Sequence, residues 1–337
     1  MAKRLEAPGT LRALTIEGFN MRAGRSAVTK SYDHILRSFR DTPWAIMPEK
    51  LDEIAAFLQY KAEGGDARPF MAVERTPAAA PGNIAVLPLY GLISQRMNMM
   101  TEMSGGTSTQ MFAGAFRQLV ADESIKAIII DVDSPGGSVY GVDELSKEIF
   151  DARGRKPVVA VANSLMASAA YYIAASADEV VVTPGGEVGS IGVLAVHQDL
   201  SGAYEQMGVR HTIISAGKYK GEATDIQPLS DEALQAVQAR VNEYYSMFVG
   251  AVARGRGVSA SEVRSGFGEG RVVGAKQAVS LGMADRIGTI EETIIRFAGR
   301  GRVAVRAPRA EEDEPRIELN DERQGREDRL RRLTLGV

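Results

Sequence analysis

The stretch "VANSLMASAAYYIAASADEV", Val161 to Val180, places two hydroxyls, Ser164 and Ser168, among small uncharged residues. A serine at the corner where a strand gives way to a helix can present its Oγ as a nucleophile, and the next backbone amide can hold the oxyanion that attack creates. Ser168 has that placement. The pattern predicts a strand ending near Asn163 and a helix starting near Ala167, with Ala169 supplying the following amide. Ser164 precedes the helix more loosely, and a capping role is expected of it. The competing reading needs no chemistry: Ser and Ala recur wherever a helix crosses a sheet closely, and this stretch by itself favours packing.

A second turn strengthens the chemical reading. "DVDSPGGSVYG", Asp131 to Gly141, follows an apolar run. Pro135 pins the turn, and Gly136-Gly137 permits backbone angles and close approaches denied to other residues. Amides beyond such a turn can point at a polarised carbonyl. Two strand ends would then supply a nucleophile and donors from opposite sides of a crevice. No G-x-x-x-x-G-K-[ST] run is present, so the turn is not a phosphate loop. A serine also needs a base. One option is His197 in "GVLAVHQDL". The others are Lys218 and Lys220 in "SAGKYKGEATDIQPLS". A lysine acts as a base only where burial or neighbouring cations lower its pKa.

The elements that must position these residues follow from periodicity. "IAVLPLYGLI" (Ile84–Ile93), "IKAIIIDVD", "PVVAVAN" and "EVVVTP" read as buried strands. Helices alternate with them, at about Thr109–Ala121, "GVDELSKEIFDAR" and "ASAAYYIAASA". This alternation predicts parallel strands covered on both faces. "LSGAYEQMG" reads as a short helix and "RHTIISAG" as a strand. A long helix begins after Ser230, with Asp231 and Glu232 at its positive end. Its stripe of Leu234, Val237, Val241, Tyr244, Tyr245 and Phe248 fits core packing better than an interface. Ser259 and Glu262 in "SASEV" repeat the cap signal. "GAKQAVSLGMADRIGTIEETIIRFAG" closes the domain. Residues 1–80 form a helical extension and linker, with Pro48 at a helix start and Glu74–Asn83 as the linker. Residues 81–300 form the main domain. Residues 301–337, of mixed charge and few apolar residues, are expected to be a flexible tail. "MNMMTEMSGGTST" suits either a groove lining or a self-packed loop.

Composition narrows the chemistry. The 337 residues carry 40 basic and 43 acidic side chains, a net charge of −3, so nothing asks for nucleic acid. With no cysteine there is no thiol catalysis or disulfide. Three histidines, His34, His197 and His211, make no H-E-x-x-H pair, and no metal or cofactor is expected. The first residues do not read as a secretory signal, and the uncharged run Pro157–Ala177 is broken by Asn163, Ser164, Ser168, Tyr171 and Tyr172, so it reads as a buried strand and helix rather than a membrane span.

Three segments in order resemble the signal peptide peptidase A (protease IV) family of serine proteases with a Ser-Lys dyad. They are "DVDSPGG" (Asp131–Gly137), "MASAAYYIAASADEVVVTPGGEVGSIGV" (Met166–Val193) and "SAGKYKGEA" (Ser215–Ala223). The resemblance covers about Ile84 to Arg300. It implies an α/β, Clp/crotonase-like spiral of repeated β-β-α units with a parallel sheet. It implies Ser168 as nucleophile and Lys220 as general base. Gly137 and Ala169 become the oxyanion donors, Gly136 shapes the loop, and Ser190 in "GSIGV" supports the lysine. Where the family often has glycine after the nucleophile, this chain has Ala169, whose methyl narrows the site.

The architecture looks most like the phage capsid assembly (prohead) proteases. That implies a serine endopeptidase acting on scaffold, portal or major capsid protein, inside a procapsid in the host cytoplasm, with no membrane anchor. In tandem-domain relatives the lysine and the serine come from different repeats. This chain has one copy of the segments, and single-repeat relatives resemble closed rings. A ring-shaped homo-oligomer is therefore expected, with Ser168 of one subunit meeting Lys220 of its neighbour. Alternatives are a bacterial cytoplasmic signal-peptide or general degrading peptidase of the same family, a Clp-type Ser-His-Asp peptidase using His197, a crotonase-like acyl-CoA enzyme, and an inactive scaffold component.

Overall fold

The computed structural model describes residues 42–62, 78–97 and 105–299. The charged tail, the start of the linker (residues 74–77) and the methionine-rich segment from Asn98 lie outside these. The chain runs through strand β1 (Trp44–Ile46), helix α1 (Pro48–Ala62), β2 (Ala78–Ala80), β3 (Ile84–Ser94), β4 (Thr107–Ser108), α2 (Thr109–Ala121), β5 (Ala127–Ser138) and α3 (Val142–Asp151). It continues through β6 (Val158–Ala167), α4 (Ala169–Ala174), β7 (Glu179–Val182), β8 (Glu187–Gly189), α5 (Ser201–Gln206) and α6 (Asp231–Arg256). The last elements are α7 (Ala260–Gly266), β9 (Val272–Gly274), α8 (Ala275–Ser280), β10 (Arg286–Ile287) and α9 (Ile290–Ala298).

The fold is α/β with a mainly parallel sheet, in the order β10-β7-β6-β5-β3-β2, antiparallel only at β2 along this path. The continuous apolar runs are explained by burial on both faces. Side chains alternate along a strand. Ile128, Ile130 and Val132 join one apolar cluster, with Val158, Ala160 and Ala162, while Ile129, Val159 and Val161 join another with Phe297.

The three long strands change partners part-way, and this creates the site. β3 pairs with β5 and then, at Ile93 and Ser94, with β4. β5 pairs with β6 and then, at Gly136 to Ser138, with β1. β6 pairs with β7 up to Ala162 and with β8 from Leu165. Register shifts at Tyr90/Leu92 and Val132/Ser134 interrupt the ladders just before these changes of partner.

Several expectations are met at the level of the cap. Ser230 Oγ accepts from Ala233 N at 3.2 Å, Ser259 and Glu262 form a capping box, and α2 spans Thr109–Ala121. Three are corrected. The strand expected to stop near Asn163 continues to Ala167, because its second half finds β8 as a new partner. Ser164 therefore lies exposed in β6 and caps nothing. The strand read in "RHTIISAG" is not formed: His211 to Lys220 are all exposed and, among the described residues, no strand pairs with them. Residues 42–62 lie in the same compact unit as the sheet. Trp44, Ile46, Leu51 and Leu58 are buried there with Leu92.

Candidate active site

All six residues of α4 are buried, which explains the small side chains of the opening stretch. The helix passes close to α6: a Cβ built on Gly255 would stand 2.2 Å from Ala175 O. Packing thus accounts for the alanines but not for Ser168. Ser168 caps α4 without using its side chain, at φ 54° and ψ −118°. A non-glycine residue in this region costs about 1–3 kcal/mol and persists only where its surroundings enforce it. Here the enforcing bonds are Ser168 N to Gly189 O at 2.7 Å and Tyr172 N to Ser168 O at 2.9 Å. Tyr171 and Tyr172 anchor the helix behind, donating to Met283 O and to Asp143 Oδ1. Burial, reinforced by the Asp143 hydrogen bond, pushes the Tyr172 phenol far above its ordinary range, so it stays protonated. Ser168 Oγ is fully buried and has no hydrogen-bond partner among the described residues. A buried hydroxyl normally finds a partner, so the vacancy requires explanation.

The glycine turn arrives from the other side. Ser134 Oγ accepts from Gly136 N at 3.1 Å and donates to Gly91 O at 2.6 Å, pinning the turn. Gly136 has φ 101°, and a Cβ on it would meet Ala45 O at 2.3 Å, Ser168 Cβ at 2.9 Å and Ala169 N at 3.0 Å. Only a glycine permits this convergence. Gly137 is equally crowded by Ile93 O. Ser168, Ala169 and Gly136 are therefore gathered at one point, with Gly137 next in the chain. Ser190 lies beside them, at φ 53° with its amide donating to Arg271 O, and its neighbour Gly189 accepts from Ser168 N.

The candidate bases are not brought to this point. His197 Nε2 is 3.1 Å from Thr224 O. Lys218 bonds Glu232 and the Tyr219 hydroxyl, each at 2.8 Å, and the Glu232 contact above all holds its amine above the ordinary lysine range. An amine held protonated in this way is a poor base. Lys220 is exposed, in a turn closed by its own N–H to Gly217 O. Sequence reasoning missed Ser134, although a serine two residues before the first glycine is the usual mark of a hydroxyl-closed turn. It also missed β1, whose three apolar residues carry no motif.

Comparison with known proteins bears on this arrangement. Residues 151–303, which include Ser168 and Lys220, match the model of peptidase family S49. Over that span the chain is similar to peptidase family S49. It is 31% identical over 235 residues to the head-tail preconnector protein GP5 of Enterobacteria phage P21, covering 68% of this chain and 46% of that protein. It is 31% identical over 204 residues to capsid assembly protease C of Escherichia phage lambda, covering 60% and 46% respectively. The chain thus spans about half the length of these curated relatives. Among solved structures it is similar to a ClpP1 mutant from Listeria monocytogenes, at 15% identity and a TM-score of 0.40, covering 62% of this chain and 94% of that one. Among the described residues, no helix is long and apolar enough to cross a membrane.

Proposed function

We propose that the protein is a serine endopeptidase whose Ser168 attacks a peptide carbonyl. The observation that carries this reading is the buried, unpartnered Ser168 Oγ, held at a strained corner against Ala169 N and the Gly136-Gly137 turn. A strained serine with nothing to bond serves no packing purpose, but it suits a nucleophile that bonds its base only in the assembled enzyme. Lys220 is that base, supplied by a neighbouring subunit of a ring. Two features support a shared dyad. Lys220 is exposed in its own chain. The segment bearing it also exposes apolar side chains: Met207, Ile214 and Tyr219 are 57, 94 and 53% exposed, and Leu234 follows at 51%. Exposed apolar groups gathered on one segment mark an interaction surface.

In the reaction, neutral Lys220 takes the Ser168 proton as Oγ adds to the carbonyl carbon. The amides of Gly137 and Ala169 hold the oxyanion. The tetrahedral species collapses, the C–N bond breaks, and protonated Lys220 gives its proton to the leaving amine. Water then adds to the acyl-enzyme with Lys220 as base, freeing the acid and Ser168. Residues 81–300 form the catalytic domain in this scheme. Its substrates in this reading are scaffold, portal or major capsid protein, processed inside a procapsid; similarity to a phage capsid assembly protease supports this. The direct test is labelling with a serine-hydrolase probe and peptide mapping, alongside incubation of candidate head proteins with wild type and Ser168→Ala. Modification of Ser168 and cleavage by wild type alone are expected. Modification of Ser164 with Ser168 untouched would overturn the assignment.

A further inference from the structure

β1 lies antiparallel to the glycine turn, with Trp44 opposite Ser138, Ala45 opposite Gly137 and Ile46 opposite Gly136. Met47 N donates to Pro135 O and Val139 N to Pro43 O. In an antiparallel ladder hydrogen-bonded pairs alternate, so the pair between these two bonds, Ala45 with Gly137, exchanges both of its own. The Gly137 amide, one of the two oxyanion donors, is thereby directed at Ala45 O. The same oxygen is the nearest atom to a Cβ built on Gly136, with Ser168 Cβ and Ala169 N next. The other edge of β1 is held as well: Trp44 and Leu194 exchange two backbone bonds of 2.9 Å each. Ala45 lines a small cavity together with Val139, Asp143, Tyr172, Val193 and Phe248. An extended backbone paired on both edges, with one carbonyl at the oxyanion donors and the adjoining side chain in a pocket, is how a peptide is presented to a serine nucleophile.

We infer that Trp44–Ile46 is a tethered peptide seated in the substrate cleft, with Ala45 in the place of the residue whose carbonyl is attacked, so that an external polypeptide binds only when this strand leaves. The inference rests on the cleft belonging to a peptidase. It accounts for the complete burial of Ser168, and it identifies the external ligand as an extended segment with a small side chain at the attacked position. The strand is replaceable in a way that core strands are not. It is three residues long, lies off the main strand order and meets β5 only at Gly136 to Ser138. A peptide in its place would recover the same backbone bonds.

The chain offers its own reporter, because Trp44 is its only tryptophan and is 3% exposed. The test uses the full chain carrying Ser168→Ala, which removes dependence on hydrolysis. An alanine-rich peptide is titrated, with binding followed by anisotropy of a labelled copy and strand release by Trp44 emission. A saturable red shift with the same midpoint as binding is expected. Peptide binding with unchanged emission would overturn the inference. Ala45→Glu, which sets a carboxylate in the cavity beside Asp143, is expected to bind the peptide about tenfold more tightly. A lock guards against a folding defect in that variant. Trp44→Cys with Leu194→Cys, in a chain with no other cysteine, should bind at least about tenfold more weakly when oxidised than when reduced. Equal binding in both states counts against the inference, as does absence of binding in every variant. Restoring Ser168 separates the two claims: binding gated by the lock without any hydrolysis leaves the strand inference standing and removes the peptidase.

Discussion

The Ser168 corner and the Lys220 segment differ in how much of their surroundings the chain supplies. Around Ser168, seven consecutive residues from Ser168 to Ala174 are buried, and strands β5, β6 and β8 fix the backbone at an angle it would not adopt freely. Around Lys220, the ten residues from His211 to Lys220 are exposed and form neither strand nor helix. Yet the second region is not polar in the manner of a solvated loop: Ile213, Ile214 and Tyr219 are exposed within it. Burying one such side chain is worth about 1.5–3 kcal/mol. Helix α6 shows the same division along its length. Phe248, Val249 and Val252 are buried, while Leu234 and Met247 stand out. The stripe read as core packing is core only towards its C-terminal end. One half of the proposed dyad is finished within the chain, and the other half presents a surface that another copy would finish.

The contrast predicts its own strongest test. Ser168→Ala and Lys220→Ala should each lower peptide hydrolysis by at least about a thousandfold. Mixed under conditions where subunits exchange, the two inactive proteins should regain activity, measured as initial rate against mixing ratio. Verified exchange with no activity at any ratio would place both residues of the dyad within one chain. A smaller loss is expected at the turn between the regions. Gly136→Ala should cost about a hundredfold in kcat/KM, since a methyl there displaces Ser168 Cβ and Ala169 N. A rate within about threefold of wild type would show that the turn has slack.

Next in size is Ile214→Asp. It should reduce the assembled fraction in sedimentation and lower the rate by about tenfold, with stability changed by less than about 0.5 kcal/mol as for a surface site. Loss of thermal stability instead would mean that Ile214 packs within its own subunit. Smallest of all, Lys218→Ala and His197→Ala should leave the rate within about threefold of wild type. Their hydrogen bonds go to Glu232 and to Thr224 O rather than to the nucleophile. A severe loss at His197 would move the mechanism to a Ser-His type.

The sequence by itself determined the parallel α/β core, because residues buried on both faces of a sheet leave an unbroken apolar run that local pattern reveals. It also determined that Ser168 and Gly136-Gly137 stand at strand ends, since glycine pairs and strand-to-helix corners are written in neighbouring residues. Tertiary structure decided what those ends meet. The partner changes of β5 and β6 depend on strands far away in the chain, so the true end of β6 at Ala167 and the exposure of Ser164 were not legible. The seating of Trp44–Ile46 against the glycine turn was hidden for the same reason. Three apolar residues have no motif, and backbone hydrogen bonding, which holds them there, is indifferent to side-chain identity.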